Sequence, residues 1–102
     1  MESSTTLPNE PVPMKSIQST IVNKLGLHAR AAARLVSLAA TFNANIEIEY
    51  KGRKVNGKSI MGVMMLAAGK GAVVTLYADG ADADDALQHI GLLIAERFEE
   101  AE

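Results

Sequence analysis

The sequence predicts an α+β domain, a four-stranded antiparallel sheet with three helices on one face, in the order β-α-β-β-α-β-α. Three observations lead there. Residues 45–51 (NIEIEYK) alternate apolar and charged side chains, as a strand with one buried and one wet face does. Residues 29–42 (ARAAARLVSLAATF) combine strong helix formers with an apolar stripe at helical spacing. Glycines and an Asp-Gly pair separate such segments along 102 residues, a length with room for one domain.

Residues 1–13 hold all three prolines and few large apolar side chains, so 1–14 is expected to be a flexible tail ahead of a domain at 15–102. Residues 15–23 (KSIQSTIVN) are rich in β-branched residues and read as the first strand, and 23–28 as a loop pivoting on Gly26. In the helix at 29–42, Ala32, Leu35, Val36, Ala39 and Phe42 should face the core. Ile46, Ile48 and Tyr50 form the inner face of the next strand; Gly52 turns the chain and 53–56 return as a short strand. Residues 59–67 read as a short helix capped by Ser59, with Val63, Leu66 and Ala67 inward. A strand at 72–79 and an Asp79-Gly80 turn lead to a last helix at 81–101, acidic in its first turn as the helix dipole favours. Its inward stripe is Ala86, Ile90, Leu93 and Ile94.

Net charge is −2 with the signs mixed, which lacks the basic face of a nucleic-acid binder. The chain has no cysteine, hence no disulfide or thiolate chemistry. No apolar run approaches the length of a membrane span, and no signal-peptide layout opens the chain. A cytoplasmic monomer that neither binds nucleic acid nor inserts into a membrane is the expectation.

Residues 52–59, GRKVNGKS, match the letters of a nucleotide-binding P-loop. Their surroundings do not. A P-loop follows a central parallel strand buried on both faces, whereas NIEIEYK is half charged. Arg53, Lys54 and Val55 suit an extended segment better than a curl of backbone N–H groups. The strand VVTLYAD ending in Asp79 favours the match, but a full P-loop domain needs on the order of 150 residues. Nucleotide binding is therefore not expected.

The chemistry-bearing stretch is Gly26-Leu27-His28-Ala29-Arg30, where a loop enters a helix. An imidazole at the cap would hang over first-turn N–H groups that lack intrahelical partners and favour negative charge. Arg30 can bring a fork of donors to the same place. Neutral imidazole is a nucleophile, so a phosphoryl group on His28 would be held by the helix end and the guanidinium. No Asp or Glu lies near His28 in sequence to serve as a base, and no His/Asp/Glu cluster has metal-ligand spacing. That suits a carrier better than a hydrolase. From the residues alone, a capping histidine beside a surface arginine is the favoured reading. His89, one helical turn after Asp85, reads as a surface histidine.

GLHARAAA at 26–33 and VNGKSIMGVMMLAAGKG at 55–71 resemble the histidine-containing phosphocarrier (HPr) family of the bacterial phosphoenolpyruvate-dependent phosphotransferase system. The resemblance covers residues 15–102. It implies an open-faced β-sandwich fold, a phosphoryl group taken by His28 on Nδ1 from phosphorylated enzyme I and passed to an enzyme IIA domain, and Arg30 as the phosphate-assisting arginine. It needs no cofactor and no metal, and the protein would have no turnover of its own. Ser59, by its sequence an ordinary N-cap, matches the serine phosphorylated by HPr kinase/phosphorylase in many bacteria. Leu27, Ile60, Met61 and Met64 are the expected partner-docking residues; the soft methionines suit a surface that must fit several partners. The alternative within the same resemblance is a regulatory binding module, a nitrogen-related or catabolite-control paralogue. One departure is Ala31, where most of the family has proline; alanine keeps the helix start but leaves the positioning of His28 and Arg30 to be established.

Overall fold

The computed structural model describes residues 14–102, so the expected tail lies, apart from Met14, outside the described residues. The elements are β1 (Lys15–Thr20), α1 (Ala29–Ala39), β2 (Asn45–Tyr50), β3 (Arg53–Asn56), α2 (Ile60–Met65), β4 (Val73–Asp79) and α3 (Ala83–Ala95), the predicted order. The strands form one antiparallel sheet in the order β1-β4-β2-β3. Pleating sends Ile46, Ile48, Val74, Leu76 and Ala78 to the helical side, where they bury against Ala32, Leu35, Val63, Ile90 and Ile94.

β2 and β3 are joined by Lys51 and Gly52, whose φ values of 52° and 80° make the two-residue turn that matches strand twist. The P-loop letters thus fall on a hairpin turn, an edge strand and a helix cap. β3 is antiparallel to β2, so the strand-to-helix crossover of a phosphate cradle is absent.

The structure corrects the sequence reading at several ends. β1 stops at Thr20, although Ile21 still exchanges hydrogen bonds with Ala72 and Gly71 (2.8 and 2.7 Å). α1 ends at Ala39; Phe42, expected in its core stripe, is only half-buried beyond the helix. Ala67 was expected inward, but a left-handed backbone (φ 52°) turns it outward, and Ala68 fills the core place. The largest correction is α3, which does not run to residue 101. It ends at Ala95, and Arg97, Phe98 and Glu99 follow with φ of 60°, 54° and 66°. Left-handed backbone at these three non-glycine residues costs about 3–6 kcal/mol together. It is offset by the complete burial of Phe98, about 1.5–3 kcal/mol, and by the hydrogen bond that the charged Arg34 donates to the Phe98 carbonyl, about 1.5–3 kcal/mol.

Asp82 ties two segments together. Its carboxylate accepts the N–H groups of Asn43 and Ala44, both at 2.8 Å, fastening the start of β2 to the start of α3. The first of these bonds, reinforced by the second and by the charge of Lys58, outweighs the effect of burial and holds the carboxyl below its ordinary value.

Gly26 fixes the loop before α1. Its φ is +66°, and a Cβ there would lie 2.6 Å from the Ala68 carbonyl oxygen and 2.7 Å from Gly69 Cα. The loop backbone therefore lies directly on the backbone after α2, and the Leu27 N–H donates to the same Ala68 oxygen at 2.9 Å. Gly26→Ala should lose about 2–4 kcal/mol, from left-handed strain plus overpacking. Gly52→Ala has equal need of a positive φ but open space around its Cβ, and should lose only about 1–2 kcal/mol. Urea unfolding of both measures the difference; equal losses would refute the backbone contact.

Candidate functional site

His28 is the N-cap of α1. Its backbone is extended (φ −74°, ψ 178°), its carbonyl accepts the Ala32 N–H at 2.8 Å, and its ring Nδ1 accepts the Arg30 N–H at 3.3 Å. The ring thus covers first-turn donors, as the sequence suggested. Ala31 stands in that same first turn, where a proline would remove no intrahelical hydrogen bond and alanine adds none; its side chain is fully buried.

The other ring nitrogen has a partner that sequence reasoning missed. His28 Nε2 lies 2.5 Å from Glu100 Oε2, across 72 positions of chain. No local signal marks Glu100, because the acidic run at the chain's end reads as the solvated face of a continuing helix. The left-handed turn at 97–99 redirects it. The C-terminal segment is also pinned by its backbone, Lys24 N–H donating to the backbone oxygen of Glu102 at 3.1 Å.

Asn23 completes the arrangement. Fully buried, it donates from Nδ2 to the Gly26 carbonyl at 2.8 Å and to Glu100 Oε1 at 3.1 Å. One amide thus holds the loop that carries His28 and the carboxylate that faces it. Burial pushes the Glu100 carboxyl up, but the bonds from Asn23 and His28 and the nearby charges, Arg34 among them, prevail and bring it below its ordinary range.

These partners define the tautomer. A carboxylate only accepts, so Nε2 carries the hydrogen; a backbone N–H only donates, so Nδ1 presents its lone pair. The His28 side chain is 29% exposed. It lines an open pocket of about 740 Å³ with Lys24, Leu25, Arg30, Glu100 and Glu102. Arg30 and His28 are therefore brought together, with Arg30 exposed. Among the described residues no three His, Cys, Asp or Glu side chains form a metal-binding group, and no helix is long and apolar enough to cross a membrane.

Ser59 is the N-cap of α2, its hydroxyl accepting the Gly62 N–H at 3.1 Å. Beyond it Ile60, Met61 and Met64 are exposed (42%, 70% and 38%), as expected of a contact surface, and Met65 and Leu25 join them at 60% and 67%. Val63 and Leu66 turn inward. Leu27 corrects the expected patch. It is 5% exposed, drawn into the core by the backbone contact at Ala68, and cannot meet a partner directly. His89 is exposed on α3, its Nδ1 2.7 Å from the Asp85 carbonyl and its ring 5.7 Å from that of Phe42.

Two outcomes follow. Ser59→Ala should lose about 1 kcal/mol of stability, the usual worth of a serine cap, measurable by urea unfolding. Glu100 and Asp82 both bind their protons less readily in the folded chain than at their ordinary values of 4.5 and 3.8. Their contributions are complete above those values and are lost as pH falls through the lower folded ones. The thermal midpoint should drop on acidification below about pH 4.5, and less steeply in a Glu100→Gln/Asp82→Asn double variant; equal slopes would contradict this.

Known proteins share the sequence pattern and the fold. The family model for PTS-HPr, described as the PTS HPr component phosphorylation site, matches residues 14–96. The phosphocarrier protein HPr of Cupriavidus necator is 55% identical over 84 residues, covering 82% of this chain and 94% of that protein. The solved HPr of Thermoanaerobacter tengcongensis superimposes with a TM-score of 0.83 at 43% identity, over 86% of this chain and 99% of that one. An HPr dimer from the same organism gives a TM-score of 0.69 at 39% identity, over 98% and 100%. With the family model spanning most of the chain and the fold shared, the protein belongs to the HPr phosphocarrier family of the phosphotransferase system.

Proposed function

We propose that His28 accepts a phosphoryl group on Nδ1 from phosphorylated enzyme I and passes it to an enzyme IIA domain. The observation that carries this reading is the Nδ1 lone pair, which carries no hydrogen and is set over the first-turn N–H of Arg30 in an open pocket that Arg30 also lines. As Nδ1 bonds to phosphorus, the phosphoryl oxygens arrive where α1 offers unpaired N–H groups, and Arg30 can close on them bidentately.

The same geometry supports a carrier without turnover. The one carboxylate on the ring faces Nε2, on the far side of the imidazole from a phosphoryl group on Nδ1. There it has no access to a water attacking phosphorus, so the phosphohistidine persists until an acceptor docks. The docking surface is the apolar patch of Ile60, Met61, Met64 and Met65, with Leu25 at the edge of the His28 pocket. Ser59 lies at the border of that patch. Phosphorylated by HPr kinase/phosphorylase, it would bring nearly two negative charges to the surface and change which partners dock. His28 and Arg30 both in place speak against a purely regulatory module. The protein acts in the cytoplasm as a monomer in this reading; a dimer like the solved Thermoanaerobacter relative would show in sedimentation.

Incubation with enzyme I and phosphoenolpyruvate should add one phosphoryl group, about 80 Da, in an acid-labile form absent from His28→Ala. No gain in the wild type refutes the reading. Arg30→Ala should slow transfer about 10- to 100-fold, the worth of a charge-assisted contact. The kinase with ATP should give an acid-stable phosphate that disappears in Ser59→Ala; undiminished labelling would remove Ser59 from the scheme.

A further inference from the structure

The two histidines of this chain present opposite ring nitrogens. His89 Nδ1 faces the Asp85 carbonyl at 2.7 Å. A carbonyl only accepts, so Nδ1 carries the hydrogen and the exposed ring offers Nε2 as its nucleophile. His28 is the reverse: Glu100 occupies Nε2, and Nδ1 presents its lone pair, met only by the long 3.3 Å bond from the Arg30 N–H.

We propose that Glu100, held in place by Asn23, confines phosphorylation of His28 to Nδ1. The inference rests on the carrier reading for the choice of His28 as the reacting group and adds what selects the nitrogen. In an unrestrained imidazole both nitrogens react, and Nδ1 is the more hindered because the side-chain stem is attached beside it. Here the carboxylate reverses that order. It covers Nε2 at 2.5 Å and keeps the hydrogen there, so no lone pair is available on that side. Its own position is fixed by the fully buried Asn23 amide at 3.1 Å and by the backbone bond from Lys24 to Glu102.

The arrangement also balances the transfer. The Nδ1 lone pair forms the N–P bond as the bond from phosphorus to the phosphorylated donor protein breaks, its electron pair leaving with the donor. The ring keeps its Nε2 hydrogen and becomes a cation facing the Glu100 carboxylate. On delivery the N–P pair returns to Nδ1 and the ring is neutral again. No proton has to move in either direction. The charged groups around the pair are Lys24, Arg30 and Glu102, which line the same pocket, and Arg34, whose charge acts on Glu100. Glu100 is a positioning residue: on this account it never touches the phosphoryl group.

Phosphoramidate tests the idea, because it is a small donor with no docking surface to impose a geometry of its own. The full chain is treated with it, and the phosphohistidine isomers are assigned by phosphorus and nitrogen NMR. The wild type should carry the Nδ1 isomer at His28 and the Nε2 isomer at His89. In Glu100→Ala the Nε2 share at His28 should rise about tenfold relative to Nδ1, the equilibrium worth of a charge-assisted hydrogen bond. Glu100→Gln, which retains an acceptor, should fall between the two. A ring Nε2–H signal protected from solvent exchange should be seen in the wild type and lost in Glu100→Ala. An unchanged isomer ratio at His28 in Glu100→Ala, or a substantial Nε2 isomer at His28 in the wild type, overturns the proposal. The carrier reading fails separately: if enzyme I does not label His28 while phosphoramidate still reacts only at Nδ1, the carrier role is wrong and the positional control stands.

Discussion

The buried amide of Asn23 joins the two ends of the described domain. One donor group holds the Gly26 carbonyl, fixing the loop that enters α1, and the same group holds Glu100, which lies on the His28 ring. Without the loop the ring would not sit over the helix start; without the carboxylate it would be free to turn about its own axis. A buried polar side chain is costly unless bonded, and this one leaves its Oδ1 without a protein partner. The fold accepts that cost where its chemistry lies. Gly26 makes the arrangement possible, since only a residue without Cβ lets the loop backbone rest on the backbone at 68–69.

The fold was largely legible because its signals are local. The alternation in NIEIEYK and the helical stripe in ARAAARLVSLAATF each report the period of one element, and the period survives packing. Strand order and element ends were less legible, since they depend on contacts between distant segments. Phe98 is the clearest case. Nothing around it breaks a helix, yet burying its ring sends three residues into a left-handed turn. The candidate site divides in the same way. His28, Arg30 and Ser59 stand at helix starts whose cap chemistry is written in a few adjacent residues. Glu100 and Asn23 reach the site only through the tertiary fold. Leu27 shows the converse: its place beside His28 suggested a surface role, and the close approach at Ala68 took it into the core.

A carrier has two demands that pull apart. The reacting nitrogen has to be in one place, and the surface around it has to accept unlike partners. This chain answers them with different elements. The ring is held by the cap bond at Nδ1 and the carboxylate at Nε2, on backbone that is itself tied down at Gly26 and Glu102. The exposed side chains of α2 are mostly methionine, with three rotatable bonds and no branch to fix their shape. In the proposed reading, precision is thereby confined to the imidazole and adaptability to the exposed side chains of α2.

The position of the carboxylate has a further physical consequence for such a cycle. A general base works best within reach of the proton it removes and would, beside a phosphoryl group, also activate water against it. In the proposed cycle the carboxylate on Nε2 would be separated from a phosphoryl group on Nδ1 by the width of the ring. It would offset the positive charge that the ring gains on phosphorylation without shortening the life of the product. The charge it supplies would be available in both directions of transfer, because the Nε2 hydrogen would stay in place. A base near Nδ1 would favour one direction and open the way to hydrolysis; a fixed anion across the ring does neither, and that asymmetry distinguishes a carrier from a phosphatase built on the same histidine.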